Sequence, residues 1–246
     1  YFSTERKSLH EVYSGSNCGP CKEADDIIES VLDANPDTHT VIHYQVGSDP
    51  YMSAETVARY CYYLNDSVTC AYSIPFLYID GTYGFHPIQV NSDEGYDQFD
   101  YDRFQGEPCH MRLEVSHTVT DQTVDIDVTI TPGDDFDSEQ LVLQTAILEK
   151  TTFNNVGINE QTEFHHVMKK MVPNHFGTPL EPFIAGEAIE LSLSYTFNGE
   201  YNGETAHNDQ VSHAIEHTVE EFDDLEVVVF VQDNATKMVH QSEVSR

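Results

Sequence analysis

The spacing of apolar residues changes character part-way along the chain, near residue 108. Before that point, residues 9–13 read as a short strand, and Ser14-Gly15-Ser16-Asn17 reads as the loop ahead of a helix starting near Cys18. From Ala24 onward, Ile27, Ile28, Val31 and Leu32 recur at helical spacing until Asn35-Pro36 stops the pattern. Residues 40–46, with Val41, Ile42 and Tyr44, predict the next strand. Ser53 is placed to cap a second helix that carries Glu55 in its first turn and Val57, Ala58, Cys61 and Tyr62 along it. A strand over 74–79 then ends at Asp80-Gly81, a strong hairpin-turn pair. The predicted order is β-α-β-α-β-β.

Residues 93–108 are acidic, punctuated by glycine and poor in aliphatic side chains, which places a domain boundary at 106/107 and gives units 1–106 and 107–246. Beyond it, strict alternation takes over. Met111, Leu113, Val115 and Val119 alternate with polar residues, as do Val124, Ile126, Val128 and Ile130, and later Ile189, Leu191, Leu193, Tyr195 and Phe197. With 141–148, 164–171, 225–231 and 238–244 this makes about seven strands and little helix, the pattern of an all-β antiparallel sandwich, Ig-like or jelly-roll-like. Val227 to Val231 is apolar on both faces and predicts a central strand.

Charge narrows the partners. With 11 Lys+Arg against 43 Asp+Glu the net charge is -32 over 246 residues, which repels nucleic-acid phosphates and anionic lipid surfaces. An acidic surface of this kind suits salty or cold water. Calcium would need clusters such as Asp134, Asp135, Asp137 and Glu139, or Asp97, Asp100 and Asp102, and neither matches an EF-hand loop. No apolar run approaches the roughly 20 residues of a membrane-spanning helix. The chain opens at Tyr1 without an apolar leader, as a processed mature chain or a truncated one would.

The chemistry concentrates at Cys18-Gly19-Pro20-Cys21. Thiol–disulfide exchange needs an accessible thiolate, a second thiol close enough to resolve the mixed disulfide, and a setting that lowers the first pKa. A Cys-x-x-Cys at a helix start supplies all three, and Pro20 is tolerated in a first turn where its missing N–H costs nothing. A plain stabilising bridge, or half of a zinc site, would use the same residues, although Cys61, Cys70 and Cys109 offer no second pair at zinc spacing. If Cys61 and Cys70 join, they close a ten-residue loop and stabilise by about 2 to 3 kcal/mol in the chain-entropy estimate, which implies an oxidising compartment. Cys109 is then left over, as a buried thiol or an intermolecular partner. Among thirteen histidines, His213 with His217 is the best pair for a metal on one helical face, with His207 and Glu216 near in sequence, but no third ligand is identifiable. His165-His166 sits in a predicted strand, where neighbours point to opposite faces.

Cys18-Gly19-Pro20-Cys21-Lys22 after a strand, with Ile74-Pro75 opening a later one, resembles the thioredoxin superfamily over about the first 106 residues. The resemblance implies an α/β thioredoxin fold followed by the sandwich. It implies Cys18 as nucleophile, Cys21 as resolving thiol, and Gly19, Pro20, Ile74 and a cis Pro75 on the substrate side. The family's Trp before the first Cys is Asn17 here, and its buried acid six residues earlier is Val12, while Glu11 should face the other side of the strand. Segments 164–173 and 225–237 extend the resemblance to secreted, outer-membrane-associated thioredoxin-like proteins of Bacteroidota that append a β-sandwich. The expectation is thus a secreted, periplasmic or cell-surface thiol-disulfide oxidoreductase acting on protein thiols, without cofactor or metal. The alternative is a non-enzymatic binding or assembly module in which Cys18 and Cys21 form a structural bridge.

Overall fold

The computed structural model describes residues 4–64, 70, 73–88, 95–106, 108–203 and 210–245. The chain runs β1 (Thr4–Glu5), β2 (Ser8–Ser14), α1 (Cys21–Asp33), β3 (His39–Gln45), α2 (Ala54–Leu64), β4 (Phe76–Ile79), β5 (Tyr83–Phe85) and α3 (Gln98–Asp102). It continues through β6 (Pro108–Cys109), β7 (Met111–Thr120), β8 (Thr123–Pro132), β9 (Leu141–Thr152), β10 (Phe164–Met171), β11 (Thr178–Pro179) and β12 (Ile189–Thr196). The last stretch holds β13 (Glu200–Tyr201), β14 (Glu216–His217), β15 (Leu225–Asp233) and β16 (Val239–Ser245).

Local sequence sets the helix ends. Cys18, Gly19 and Pro20 form a turn in which the Cys21 amide donates to the Cys18 carbonyl at 3.2 Å, so α1 starts at Cys21 rather than near Cys18. Ala24, Ile28 and Leu32 then fall on the buried face of the helix. At the start of α2 the capping is reciprocal: the Ser53 amide donates to Thr56 Oγ1 at 3.0 Å, and the Thr56 amide donates to Ser53 Oγ at 3.3 Å.

The main sheet has nine strands, in the order β16-β15-β9-β10-β3-β2-β4-β5, with β11 pairing β9 off that path. β2 and β10 both run parallel to β3, and the remaining pairs are antiparallel. A second layer consists of the antiparallel β12-β8-β7, whose inward Val124, Ile126, Val128 and Ile130 pack on Leu143, Ile147, Val227 and Val229. Val227 to Val231 lies in β15, flanked by β9 and β16, which explains its apolar residues on both faces.

This architecture corrects the expected α/β thioredoxin fold followed by an all-β antiparallel sandwich. Strands hold 45% of the chain and helices 14%, with three α-helices among the described residues. The physical reason lies in one junction. β10 joins β3 in parallel, with Val167 opposite His43, so strands from both halves of the sequence build one mixed sheet in place of two separate ones. Alternation along a strand reports which face is buried and carries no information on which strand lies alongside.

Candidate functional site

The loop between β2 and α1 is held from below. Gly15 lies where a Cβ would sit 2.3 Å from the Val46 carbonyl oxygen, so only glycine fits that approach. The Ser16 amide donates to buried Asp49 Oδ2 at 2.8 Å, and Asn17 Nδ2 donates to the Ser48 carbonyl at 2.6 Å. Beyond this anchor the Cys18 and Cys21 sulfurs are joined, with Cα atoms 5.4 Å apart. Cys18 is half-buried, Gly19 and Pro20 are exposed, and Cys21 is fully buried. One cysteine of the bridge is therefore partly exposed and the other is not.

Opposite Cys18 stands the Ile74 carbonyl, its oxygen 3.8 Å from Cys18 Sγ, and the Ile74-Pro75 peptide bond is cis. The segment is clamped from two sides that sequence reading missed. Tyr60 hydroxyl accepts from the Ser73 amide at 2.9 Å and donates to the Ser73 carbonyl at 3.2 Å. The Nδ1–H of His86 donates to the Pro75 carbonyl at 2.7 Å, leaving Nε2 to accept from Ser73 Oγ at 3.3 Å. Cys61, on α2, is joined to Cys70 ahead of this segment, and Cys70, Ile74 and Phe76 pack against the same core cluster.

Asp25 is a second residue missed in the sequence. It lies four positions after Cys21, on the same helix face, and is 1% exposed. It accepts from Ser14 Oγ at 3.0 Å and from Gln161 Nε2 at 3.3 Å. Burial, opposed in part by those two donors, pushes its carboxyl up to about 7. His43 Nδ1 lies 4.0 Å from the carboxyl, but burial lowers that imidazole to about 3, so the contact is not an ion pair at neutral pH. The spacing from Cys21 was the available signal. Glu11 faces away, into a buried cluster where it accepts from Arg59 Nε at 2.7 Å and from the Tyr44 hydroxyl at 3.0 Å.

The other candidates move apart. Cys109 is a buried free thiol that donates to the Met111 carbonyl, and burial raises its pKa. His213 and His217 share no helix, because that segment is a turn followed by β14, and His207 lies outside the described residues. His165 and His166 do not point to opposite faces: a left-handed φ of 53° at His166 breaks the alternation, and both line one cleft with His39 and His43. Among the described residues no group of three His, Cys, Asp or Glu side chains is placed to hold a metal ion. Of the acidic clusters, Asp97 caps α3, Asp134 meets His110 at 2.8 Å, and Asp135 accepts from the Ala185 amide at 2.8 Å. No helix among the described residues is long and apolar enough to cross a membrane.

No family model matches the chain, and no curated protein matches it by sequence. Solved structures do. HBP35 of Porphyromonas gingivalis aligns over 100% of this chain and 76% of its own, at 11% identity and a TM-score of 0.73. Protein AGR_C_4864 from Agrobacterium tumefaciens aligns over 98% of this chain and 95% of its own, at 13% identity and a TM-score of 0.58. A domain of the outer membrane lipoprotein Omp28 from Porphyromonas gingivalis covers 56% of the chain at a TM-score of 0.35, too weak to bear on the fold. The first two likenesses establish a shared strand-rich fold across the whole chain. The resemblance to the thioredoxin superfamily, and to its outer-membrane-associated Bacteroidota members, is corrected accordingly: the structural neighbours are β-rich, and this chain is mostly strands with few helices rather than a thioredoxin fold.

Proposed function

We propose that the chain is an extracytoplasmic thiol–disulfide oxidoreductase acting on protein thiols through Cys18 and Cys21. One observation carries this reading: Cys18 is only half-buried, its partner is buried at a helix start, and a backbone carbonyl stands 3.8 Å from the Cys18 sulfur. A client thiolate attacks Cys18 Sγ. The Cys18–Cys21 bond breaks, and its electron pair leaves on Cys21, where the α1 amides stabilise the thiolate before it takes a proton. A second client thiolate attacks the client sulfur of the mixed disulfide and expels Cys18 as thiolate. Two client thiols have become a disulfide, and the protein pair has become two thiols. The reverse sequence reduces a client disulfide.

In this reading Gly19 and Pro20 keep the turn open, and Ile74 with Pro75 forms the client-side wall. Cys61–Cys70 is a structural bridge tying α2 to that wall. Two disulfides in one chain support an oxidising compartment outside the cytoplasm. The second reading, a surface or assembly module with a purely structural Cys18–Cys21 bridge, draws on the loop anchors at Asp49 and Ser48, which such a bridge would reinforce.

A trapping experiment separates the two. Cys21→Ser leaves Cys18 able to attack a client but deprives it of its resolving partner, so mixed disulfides accumulate on non-reducing gels. Cys18→Ser accumulates none. If Cys21→Ser captures no partner and the wild-type protein neither oxidises a dithiol nor reduces a disulfide, the structural reading stands instead.

A further inference from the structure

The connection between β9 and β10 reaches the Cys18 loop from the far half of the chain. Gly157 lies against Ser16 and Asn17, where a Cβ would meet the Ser16 carbonyl oxygen at 2.5 Å and Asn17 Oδ1 at 2.8 Å. The Asn159 amide donates to the Ser16 carbonyl at 3.0 Å, and Asn159 Nδ2 donates to the Gly15 carbonyl at 3.4 Å. The rest of the connection is pinned as firmly. The Phe153 and Asn154 amides donate to the Glu220 carboxylate at 3.0 and 2.8 Å, and buried Asn155 accepts from Thr152 Oγ1 at 2.8 Å.

With its polar backbone turned inward, this connection shows apolar side chains to solvent. Ile158 is 74% exposed, Phe153 54% and Val156 48%. Val156 and Ile158 flank Gly157, the residue seated on the loop that carries Cys18. Exposed apolar side chains on a rigid support beside a reactive centre are the features of a recognition surface.

We infer that residues 153–158 form the client-recognition surface of Cys18, and that the clients are extended, cationic polypeptide segments with apolar residues beside their cysteines. This rests on the redox reading above. Gly157 seats the connection on the loop that carries Cys18, so in this reading the side chains flanking a client cysteine at Cys18 Sγ meet Val156 and Ile158. The client's charge follows from the net charge of -32, which steers cations toward the protein and repels anionic chains.

The test uses the whole oxidised protein and two reduced dicysteine peptides, equally lysine-rich. One has leucine and phenylalanine beside its cysteines, the other serine and glycine. Dithiothreitol serves as a small dithiol that needs no recognition surface. The wild-type protein is expected to oxidise the apolar peptide with a kcat/KM about tenfold above that for the polar one, the effect of one or two apolar contacts. In Val156→Ser/Ile158→Ser, which leaves the charge unchanged, the ratio of apolar-peptide rate to polar-peptide rate falls about tenfold. About 0.5 M sodium chloride slows both peptides and does not slow dithiothreitol, whose reacting thiolate is an anion. If dithiothreitol reduces the wild-type pair but the two peptides react alike, or the double variant keeps the preference, the recognition surface is refuted and the redox reading survives. Peptide rates that ignore salt refute the cationic client. A wild-type disulfide that exchanges with neither peptide nor dithiothreitol refutes both readings together.

Discussion

At the scale of single residues, Asp25 makes the sharpest statement about pH. Its carboxyl rises from an ordinary 3.8 to about 7 because the folded chain removes it from water. Between those two values the unfolded chain has released the proton while the native one keeps it. Native stability therefore falls as pH rises from about 4 to 7 and stays low above that. Asp25→Asn removes the ionisable group and keeps an acceptor for Ser14 and Gln161. It is expected to raise stability by up to about 4 kcal/mol at pH 8 and to leave it unchanged below pH 4, measured by urea unfolding across that range. Equal stabilities at pH 8 would show that the carboxyl is not held protonated. The cysteine pair was legible from spacing alone, because Cys-x-x-Cys before a helix is a local pattern. Asp25 was not, because its burial depends on Ser14 and on Gln161, which is 136 positions away. The same holds for His86, whose partner carbonyl is brought to it by the β4–β5 hairpin.

At the scale of elements, strand existence was readable while strand partners were not. The alternation in β7, β8 and β12 reported one buried face each, and the continuous burial of β9 and β15 follows from cover on both sides. Nothing local announces that β10 lies between β9 and β3. The β9–β10 pair also buries charge: Glu149 and Lys169 are 3.0 Å apart, both with fully buried side chains. Burial raises the Glu149 pKa and lowers that of Lys169, so each group depends on the other to stay ionised. Lys169→Met is expected to cost about 3 kcal/mol, the lower end for a broken buried pair, because the Glu220 and Glu221 amides still donate to Glu149. Adding Glu149→Gln should recover more than half of that loss in denaturant unfolding. A double variant no more stable than Lys169→Met would show that packing around the lysine stem, rather than the stranded carboxylate, sets the cost.

At the scale of the whole molecule the question is how the two sequence units, 1–106 and 107–246, which we propose as the chain's organisation, behave on unfolding. Two core clusters respect that division. One draws only on residues between 109 and 231, the other on residues between 12 and 104. A third crosses it, packing Leu9, Tyr13, Ile42, Tyr44 and Tyr60 against Ala146, Leu148, Met168, Val228 and Phe230. Polar contacts cross as well: the Lys7 amide donates to Gln241 Oε1 at 2.9 Å, Thr40 Oγ1 donates to Ser242 Oγ at 2.7 Å, and the Val239 amide donates to the Asp80 carbonyl at 3.0 Å. Opening either unit alone would expose the shared cluster and leave these groups unpaired, so the intact chain should unfold in one calorimetric transition, with calorimetric and van't Hoff enthalpies equal. Phe230 tests the coupling directly. Its fully buried ring lies in the shared cluster with the Arg59 guanidinium 5.2 Å from its centroid, so Phe230→Ala should lower stability by about 3 to 5 kcal/mol. The loss should move the whole transition, with far-ultraviolet dichroism and tyrosine fluorescence shifting together. Two resolved transitions in the wild-type protein, or a variant that displaces one signal and leaves the other in place, would mean that the continuous sheet joins the units without making them fold as one.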